Sequence, residues 1–345
     1  MYYEVCRIAE CVVTKEIALV AEENTKSKHH SLQVLIRHKP IVEEHPLDTN
    51  STSSKIREGP STSVVFRLAS IARGMLIKLL NKCFPYLYLE LKLPMVLHIY
   101  FPSDAFGALE ENLIRNIYFD PYSICVADTI IDLGAHAGSF TIYALLYSKP
   151  GTRIIAVEPS RRNYELLLNN LKLFEDIIRE RKLEILVLRK AVWSRRGNFK
   201  FVDTGWSEGG YIDEAQYNQE GTYVETITFD ELIALSKGRI LVKMDIEGAE
   251  LPVLTASKEL NKVIRLAIET HGREFSLVKT LRLRGYNCKI ITYKLNPQLF
   301  KDWLKVKPRI YGFIVAIYRF IASSIIHPTI TIIKAEKVIK PQDPR

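Results

Sequence analysis

The sequence predicts an α/β fold, a mostly parallel sheet with helices on both faces, and three observations carry that reading. Apolar, β-rich runs at 129–133, 153–157, 183–188, 239–244, 263–268 and 287–293 alternate with segments able to form helices at 139–148, 160–174, 229–236, 249–257 and 273–284. Such alternation is the mark of βαβ units. Run after run ends in polar or glycine residues: "IDLGAHAG", "AVEPS", "RKAVWS", "LVKMDIEGAE", "LAIETHG". Finally, 345 residues at 47% hydrophobic and 25% charged suit a soluble globular chain with a sizeable core, which excludes disorder throughout.

Taken in chain order, residues 1–63 form an N-terminal extension. Its part from 24 to 63, rich in Ser, Thr, His, Lys and Pro, reads as a partly flexible linker with one short apolar piece, "LQVLIRH". In "VVFRLASIARGMLIKLLNKCF", residues 64–84, Phe66, Leu68, Ile71, Met75, Leu76 and Leu79 fall at helical spacing, with Arg67, Arg73, Lys78 and Lys82 largely elsewhere. That is a basic amphipathic helix, and with its lead-in it occupies residues 64–97. It can lie on an anionic surface or pack its apolar face on the domain that follows. "MVLHIYFP" reads as a strand and "DAFGALEENLIRNIYF" as a helix opened by Asp104 as N-cap. After the alternating region come an apolar insertion at 309–327 and a last strand, "TITIIKAEK"; the apolar stretch 312–333 that spans them is interrupted by Arg319, His327 and Pro328. The insertion holds about 15 continuous helical residues, short of the roughly 20 a bilayer crossing needs.

Forty-eight Lys and Arg against 39 Asp and Glu give a net charge of +9. The excess suits an anionic partner such as nucleic acid, a membrane surface or a phosphorylated metabolite, and equally a basic solvated surface. Five scattered cysteines without CxxC or Cys/His spacing indicate neither a disulfide framework nor a zinc site. The first residues, "MYYEVCRIAE", lack the pattern of a secretory signal. The expectation is a cytoplasmic protein, with peripheral membrane contact through 64–84 or 309–327 as an option.

In an open α/β sheet the ligand lies beyond the carboxyl ends of the strands. The first turn, Asp132 to Gly138, fails two tests for phosphate: the middle position of a GxGxxG fingerprint is His136, and Ser139-Phe140 stand where a P-loop needs Lys-Ser/Thr. Glu158 follows Gly134 by 24 residues, the distance at which a carboxylate receives both ribose hydroxyls of a nucleoside. A carboxylate there repels a nearby phosphate, whereas S-adenosylmethionine carries a sulfonium and an ammonium. The pair therefore favours the methyl donor over NAD or ATP. A bland alternative has Glu158 simply capping the helix after Pro159.

"IDLGAHAGSFT", "AVEPS", "AVWS", "TITFDELI" and "LVKMDIEGAELPVL" followed by "LAIETH" resemble, in that order, the FkbM-type S-adenosylmethionine-dependent methyltransferases, over residues 98–295. The K-x-D-x-E-G-x-E run is the most specific piece. The resemblance implies a methyltransferase domain over 98–338 with a Rossmann-like class I sheet of seven strands, the last antiparallel. It also implies O-methylation of a hydroxyl on a sugar or another small or secondary metabolite, hence a small-molecule or glycan acceptor.

On that resemblance Gly134, Ala135, His136 and Gly138 bring backbone against the methionine and ribose portion of the cofactor, with Asp132 holding the turn and Glu158 on the ribose. His136 departs from the Asn expected in the family turn. Ala191 and Val192 would line the adenine, whose flat faces prefer apolar neighbours. At the fourth and fifth strand ends Lys243, Asp245, Glu247, Glu250, Glu269 and His271 gather charge in an otherwise apolar setting. An acceptor hydroxyl must lose its proton as the methyl arrives, so Asp245 and His271 are candidate bases, with Glu269 orienting or sharing the charge. The alternatives are a divalent cation held by Asp245, Glu247, Glu269 and His271, or acids that only cap the next helix. No metal site is assigned. RNA methylation and a non-catalytic, membrane-associated interaction protein are the competing functions. The first lacks an N/D-P-P-Y-type strand end, and the second sits poorly with intact Asp132, Gly134, Gly138, Glu158 and Asp245.

Overall fold

The computed structural model describes residues 42–44, 86–92, 96–203, 209–213, 221–294, 299–325 and 329–338. The N-terminal extension, apart from 42–44, and the basic helix expected at 64–84 lie outside the described residues.

Strand β1 (Val42–Glu44) joins the main sheet from afar, and β2 (Tyr86–Lys92) pairs with β3 (Val96–Pro102) as an antiparallel hairpin. Alternation decides the hairpin's faces: Leu87, Leu89, Leu91, Leu97, Ile99 and Phe101 are buried, while Tyr88 and Tyr100 point to solvent. A division between lead-in and domain at residue 98 falls inside β3. The central strands follow the apolar runs closely: β4 (Thr129–Leu133), β5 (Arg153–Val157) and β6 (Glu184–Leu188). Four short strands, β7 (Ala191–Val192), β8 (Asn198–Asp203), β9 (Gly210–Asp213) and β10 (Thr222–Ile227), form a second sheet in the order β7-β10-β8-β9. Then come β11 (Ile240–Met244), β12 (Val263–Glu269), β13 (Tyr286–Lys294) and β14 (Thr329–Lys337).

The main sheet runs β1-β13-β14-β12-β11-β4-β5-β6. Strands β6, β5, β4, β11 and β12 are parallel neighbours, and β14 enters antiparallel between β12 and β13. This is the seven-stranded Rossmann-like arrangement with its last strand reversed, extended at one edge by β1. Period-two alternation sends Ile130, Ile154 and Ala156 into the core on one side of the sheet, and Ile131, Ile155, Val157 and Val242 into the core on the other. The strand order reverses between β4 and β11, so their carboxyl ends open the crevice in which such folds bind ligands. Their register sets Lys243 beside Asp132.

Local signals fix the helices that close the crevice. Ser160 caps the helix Arg161–Lys172 by accepting from the Asn163 N–H, and Leu166, Leu167 and Leu171 are its buried stripe. Thr228 and Glu231 form a reciprocal capping box at the start of Phe229–Ala234, a device worth about 1 kcal/mol. The helix expected from Asp104 through residue 119 is shorter: its N-cap is Ala105, an α-helical turn covers Phe106–Leu109, and a wider π-helical stretch covers Glu110–Ile114. Asn116, with φ 52°, ends it in the left-handed region that asparagine tolerates. The chain then turns Tyr118 toward the strand ends. The apolar insertion is a helix over Arg309–Ile325 that buries Tyr311, Val315 and Ala316. Among the described residues no helix is long and apolar enough to cross a membrane.

Candidate active site

The first glycine turn is dictated by the protein's own packing. Gly134 has φ 73°, and a Cβ there would lie 1.8 Å from the Asp245 carbonyl oxygen. At Gly138, with φ 91°, a Cβ would meet Leu167 Cδ1 at 2.5 Å. Only glycine lets the turn after β4 nest against the turn after β11 and against the helix Arg161–Lys172. The Gly134 and Ala135 amides donate to the Val157 carbonyl, at 3.1 and 3.0 Å.

The next amide points elsewhere. His136, at φ 53°, donates its N–H to Glu158 Oε2 at 2.8 Å, and Ser160 donates to Glu158 Oε1 at 2.9 Å. The turn and the end of β5 are thus joined through one buried carboxylate, which burial pushes up to about 7 against the pull of these two amides. The His136 ring is buried and tilted against Phe101, 5.4 Å between centroids, and neither ring nitrogen has a hydrogen-bond partner among the described residues. Burial lowers it to about 4, so the ring is neutral. Asp132 accepts from the Thr141 hydroxyl at 2.6 Å through one oxygen, while its other, Oδ1, has no hydrogen bond and lies 3.5 Å from Lys243 Nζ. Ala191 and Val192 are buried, and the neighbouring Trp193 has a buried indole N–H without a partner among the described residues.

The other end of the crevice is charged. Lys243 is buried, donates to the Gly134 carbonyl at 2.8 Å and lies 3.5 Å from both Asp132 and Asp245. Burial opposes its charge, but Asp245, Asp132 and Glu269 overcome that and hold it as an ammonium. Between the ends of β11 and β12 stands Tyr118, fully buried, whose hydroxyl donates to Glu269 Oε2 at 2.6 Å and lies 3.4 Å from Asp245 Oδ2. Burial, then Asp245, Glu269 and Glu111, raise its phenol well above the usual value, so it keeps its proton. Burial and the facing Asp245 push Glu269 up to about 8, while Tyr118, His271 and Lys243 pull it down.

His271 takes a different place from the base expected of it. Nδ1 lies 3.2 Å from Glu250 and Nε2 3.4 Å from Glu247. The Glu250 hydrogen bond, aided by Asp245 and Glu247, raises the ring to about 9, so it is an imidazolium with no lone pair to accept a proton. Glu250 in turn takes the Ile246 and Gly248 amides, each at 3.2 Å, and braces the turn after β11. Asp245, Glu247 and His271 can bring one ligand atom each within 4.8 Å of the others. In this arrangement His271 is shared between Glu247 and Glu250, and Glu269, the fourth expected member, accepts from Tyr118.

Lys243, Asp245 and Glu269 therefore come together as the sequence suggests, and Asp132, His136 and Glu158 gather at the opposite end. Tyr118 is the residue the sequence does not announce. It meets its partners across 127 and 151 residues, and the one local signal is the helix-breaking Asn116 two positions earlier. A separate open groove of about 1590 Å³ flanks Pro159–Arg162 and faces the second sheet. Arg161, Lys172, Arg189, Tyr100, Tyr211 and Tyr223 are among its walls, and neither Asp245 nor Glu269 lines it.

The family model described as the methyltransferase FkbM domain matches residues 132–306. Among solved structures, an FkbM methyltransferase from Methylobacillus flagellatus KT is similar at 19% identity over 53% of this chain and 44% of that protein, with a TM-score of 0.37. The chain thus spans less than half the length of that relative. An O-methyltransferase from Bacillus cereus in complex with SAH is similar at 11% identity over 82% of this chain and 93% of that one, with a TM-score of 0.33. TYW2 from M. jannaschii in complex with AdoMet is similar at 14% identity over 70% and 83%, with a TM-score of 0.30. No curated protein matches the chain.

Proposed function

The chain belongs to the FkbM methyltransferase family, and from that premise we propose that it moves the methyl group of S-adenosylmethionine to a hydroxyl oxygen of a sugar or another small metabolite. The observation that carries the donor's identity is the buried Glu158 carboxylate at the end of β5. Each of its oxygens accepts one backbone N–H and keeps capacity for a further donor, which suits the two hydroxyls of a ribose. The ring nitrogens of His136 and the Trp193 N–H, without hydrogen-bond partners among the described residues, are buried polar atoms that a polar ligand would satisfy. Two carboxylates at this end disfavour a phosphate in the same space. Bound there, S-adenosylmethionine supplies an electrophilic methyl group on a sulfonium.

The chain's own residues handle the proton. Asp245 is one-quarter exposed and is placed to receive the proton of an acceptor hydroxyl. Tyr118 donates to Glu269 and stands beside Asp245, so it couples the two carboxylates and lets charge leave the reacting centre. Lys243, tied to the Gly134 carbonyl and flanked by Asp132 and Asp245, keeps one positive charge between the two ends. Glu250 and His271 brace the turn that carries Asp245.

Calorimetry of the full chain with S-adenosylmethionine tests the donor. Binding by the wild type, lost in Glu158→Ala, is expected; a folded wild type that binds none ends the reading. Transfer of a labelled methyl group into a cell extract tests the acceptor, and a labelled small molecule or glycan is expected. A second reading, methylation of RNA, has one observation in its favour: the groove beside Arg161, with arginine, lysine and tyrosine walls, combines backbone-tracking charge with stacking surfaces. Label recovered in RNA would establish it instead.

A further inference from the structure

The helix Arg309–Ile325 is apolar on two faces, and only one is covered. Tyr311, Val315 and Ala316 are buried against the domain, with Tyr311 donating its hydroxyl to the Ser103 carbonyl at 2.9 Å. On the other face Ile310 is 63% exposed, Phe313 51% and Ile317 40%, at spacings of three and four residues that align them in one stripe. Leu304, in the connection before the helix, is 40% exposed. A lone exposed apolar side chain is ordinary, but an aligned set on a helix that also buries its opposite side marks a surface that meets something.

The charge around the stripe says what. Lys301, Lys305 and Arg309 are exposed and Lys307 half-buried in the segment that leads into the helix. Two of these have acidic partners: Lys305 pairs with Asp302 at 3.0 Å and Lys307 with Glu90 at 2.9 Å. Lys301 and Arg309 make no ion pair among the described residues. Apolar side chains edged by cations are the composition of a helix that lies in the plane of a bilayer, with its apolar side among acyl chains and its cations among anionic headgroups. The same charge disfavours the chain's own basic segment 64–84 as the cover, since Arg67, Arg73, Lys78 and Lys82 would approach like charges.

We propose that the face formed by Leu304, Ile310, Phe313 and Ile317, with Lys301 and Arg309 at its edge, docks the protein on an anionic lipid surface without crossing it. The inference is independent of the transferase reading, because it concerns a surface whose residues take no part in the site at the strand ends.

Flotation of the full chain with vesicles of neutral phosphatidylcholine, or of phosphatidylcholine with about one-third phosphatidylglycerol, tests it. Binding to the anionic vesicles is expected, weakening as salt screens the headgroups. Lys301→Glu with Arg309→Glu should cut the bound fraction about tenfold or more. Ile310→Ser, Phe313→Ser and Ile317→Ser together should abolish binding while circular dichroism and the melting temperature stay near wild type, since these side chains are exposed. Equal flotation with neutral and anionic vesicles, or no flotation, overturns the proposal. So does a triple variant that floats like the wild type, which would place the contact elsewhere, on 64–84 first. A wild-type dimer in lipid-free light scattering that the triple variant dissolves would assign the stripe to a second copy instead.

Discussion

The two histidines of the crevice are driven in opposite directions, and the contrast separates the crevice into halves with different tasks. His136, in the turn after β4, is buried without a charged partner in contact, and burial lowers it to about 4. His271, after β12, lies between Glu247 and Glu250 and is raised to about 9. The first half is held by backbone amides on a carboxylate and offers unpaired polar atoms to a ligand. The second is a cluster of charges with a phenol at its centre, the Tyr118 hydroxyl meeting both Asp245 and Glu269. Lys243 stands between these two environments, 3.5 Å from Asp132 on one side and from Asp245 on the other.

The strongest way to break the contrast is at the seam where the halves touch. Gly134→Ala places a Cβ 1.8 Å from the Asp245 carbonyl oxygen at a φ of 73°, so both turns must move. A loss of at least about 3 kcal/mol of stability, or failure to fold, is expected, read by urea denaturation. Glu158→Ala removes the acceptor of the His136 and Ser160 amides. S-adenosylmethionine affinity should fall about 100-fold by calorimetry, with the melting temperature also lower because two buried amides are orphaned.

At the acid end Glu269→Gln should lower kcat about 100-fold or more with donor affinity unchanged, which would show that the halves are separable. Tyr118→Phe keeps the ring against Phe140 and removes the hydroxyl. Glu269 should then hold its proton to higher pH, since the phenol's hydrogen bond favours the carboxylate. In the wild type Glu269 ionises only as pH rises through about 8, so kcat should climb over that range. A kcat flat from pH 6.5 to 9 would remove Glu269 from the proton path.

The two halves also differ in how far the sequence announces them. The strands β4, β5 and β11 are mainly apolar runs because both faces of the central sheet are buried there, so their ends, and with them Asp132, Glu158 and Asp245, can be placed from local pattern. The second sheet escapes that reading. Its strands are short and largely half-exposed, and in β10 Val224, Thr226 and Ile227 are the buried residues. Tyr118 is invisible for a different reason: its role exists only when β11 and β12 bring Asp245 and Glu269 to it, and no periodicity encodes a contact over 127 residues. Gly134 shows the same limit inside a motif. Its spacing suggests close approach of a ligand, while the structure reveals that the nearest atom is the chain's own carbonyl.

The smallest effect concerns His271 as a brace. Its folded pKa is raised above the ordinary value of 6.5, so the stability it contributes is fully present below about 6.5 and is lost as pH rises through about 9. The side chain is 29% exposed, so solvent screening leaves on the order of 1–2 kcal/mol of the full linkage. His271→Gln should therefore be less stable than wild type by about that amount in urea at pH 6.5, and the gap should close toward pH 10. Because glutamine can still reach Glu250, a residual difference at high pH would measure packing alone. A gap that does not change with pH would mean that folding leaves the ring's pKa unshifted, so that it is neutral over most of that range. His271 would then regain the lone pair that a base or a metal ligand requires.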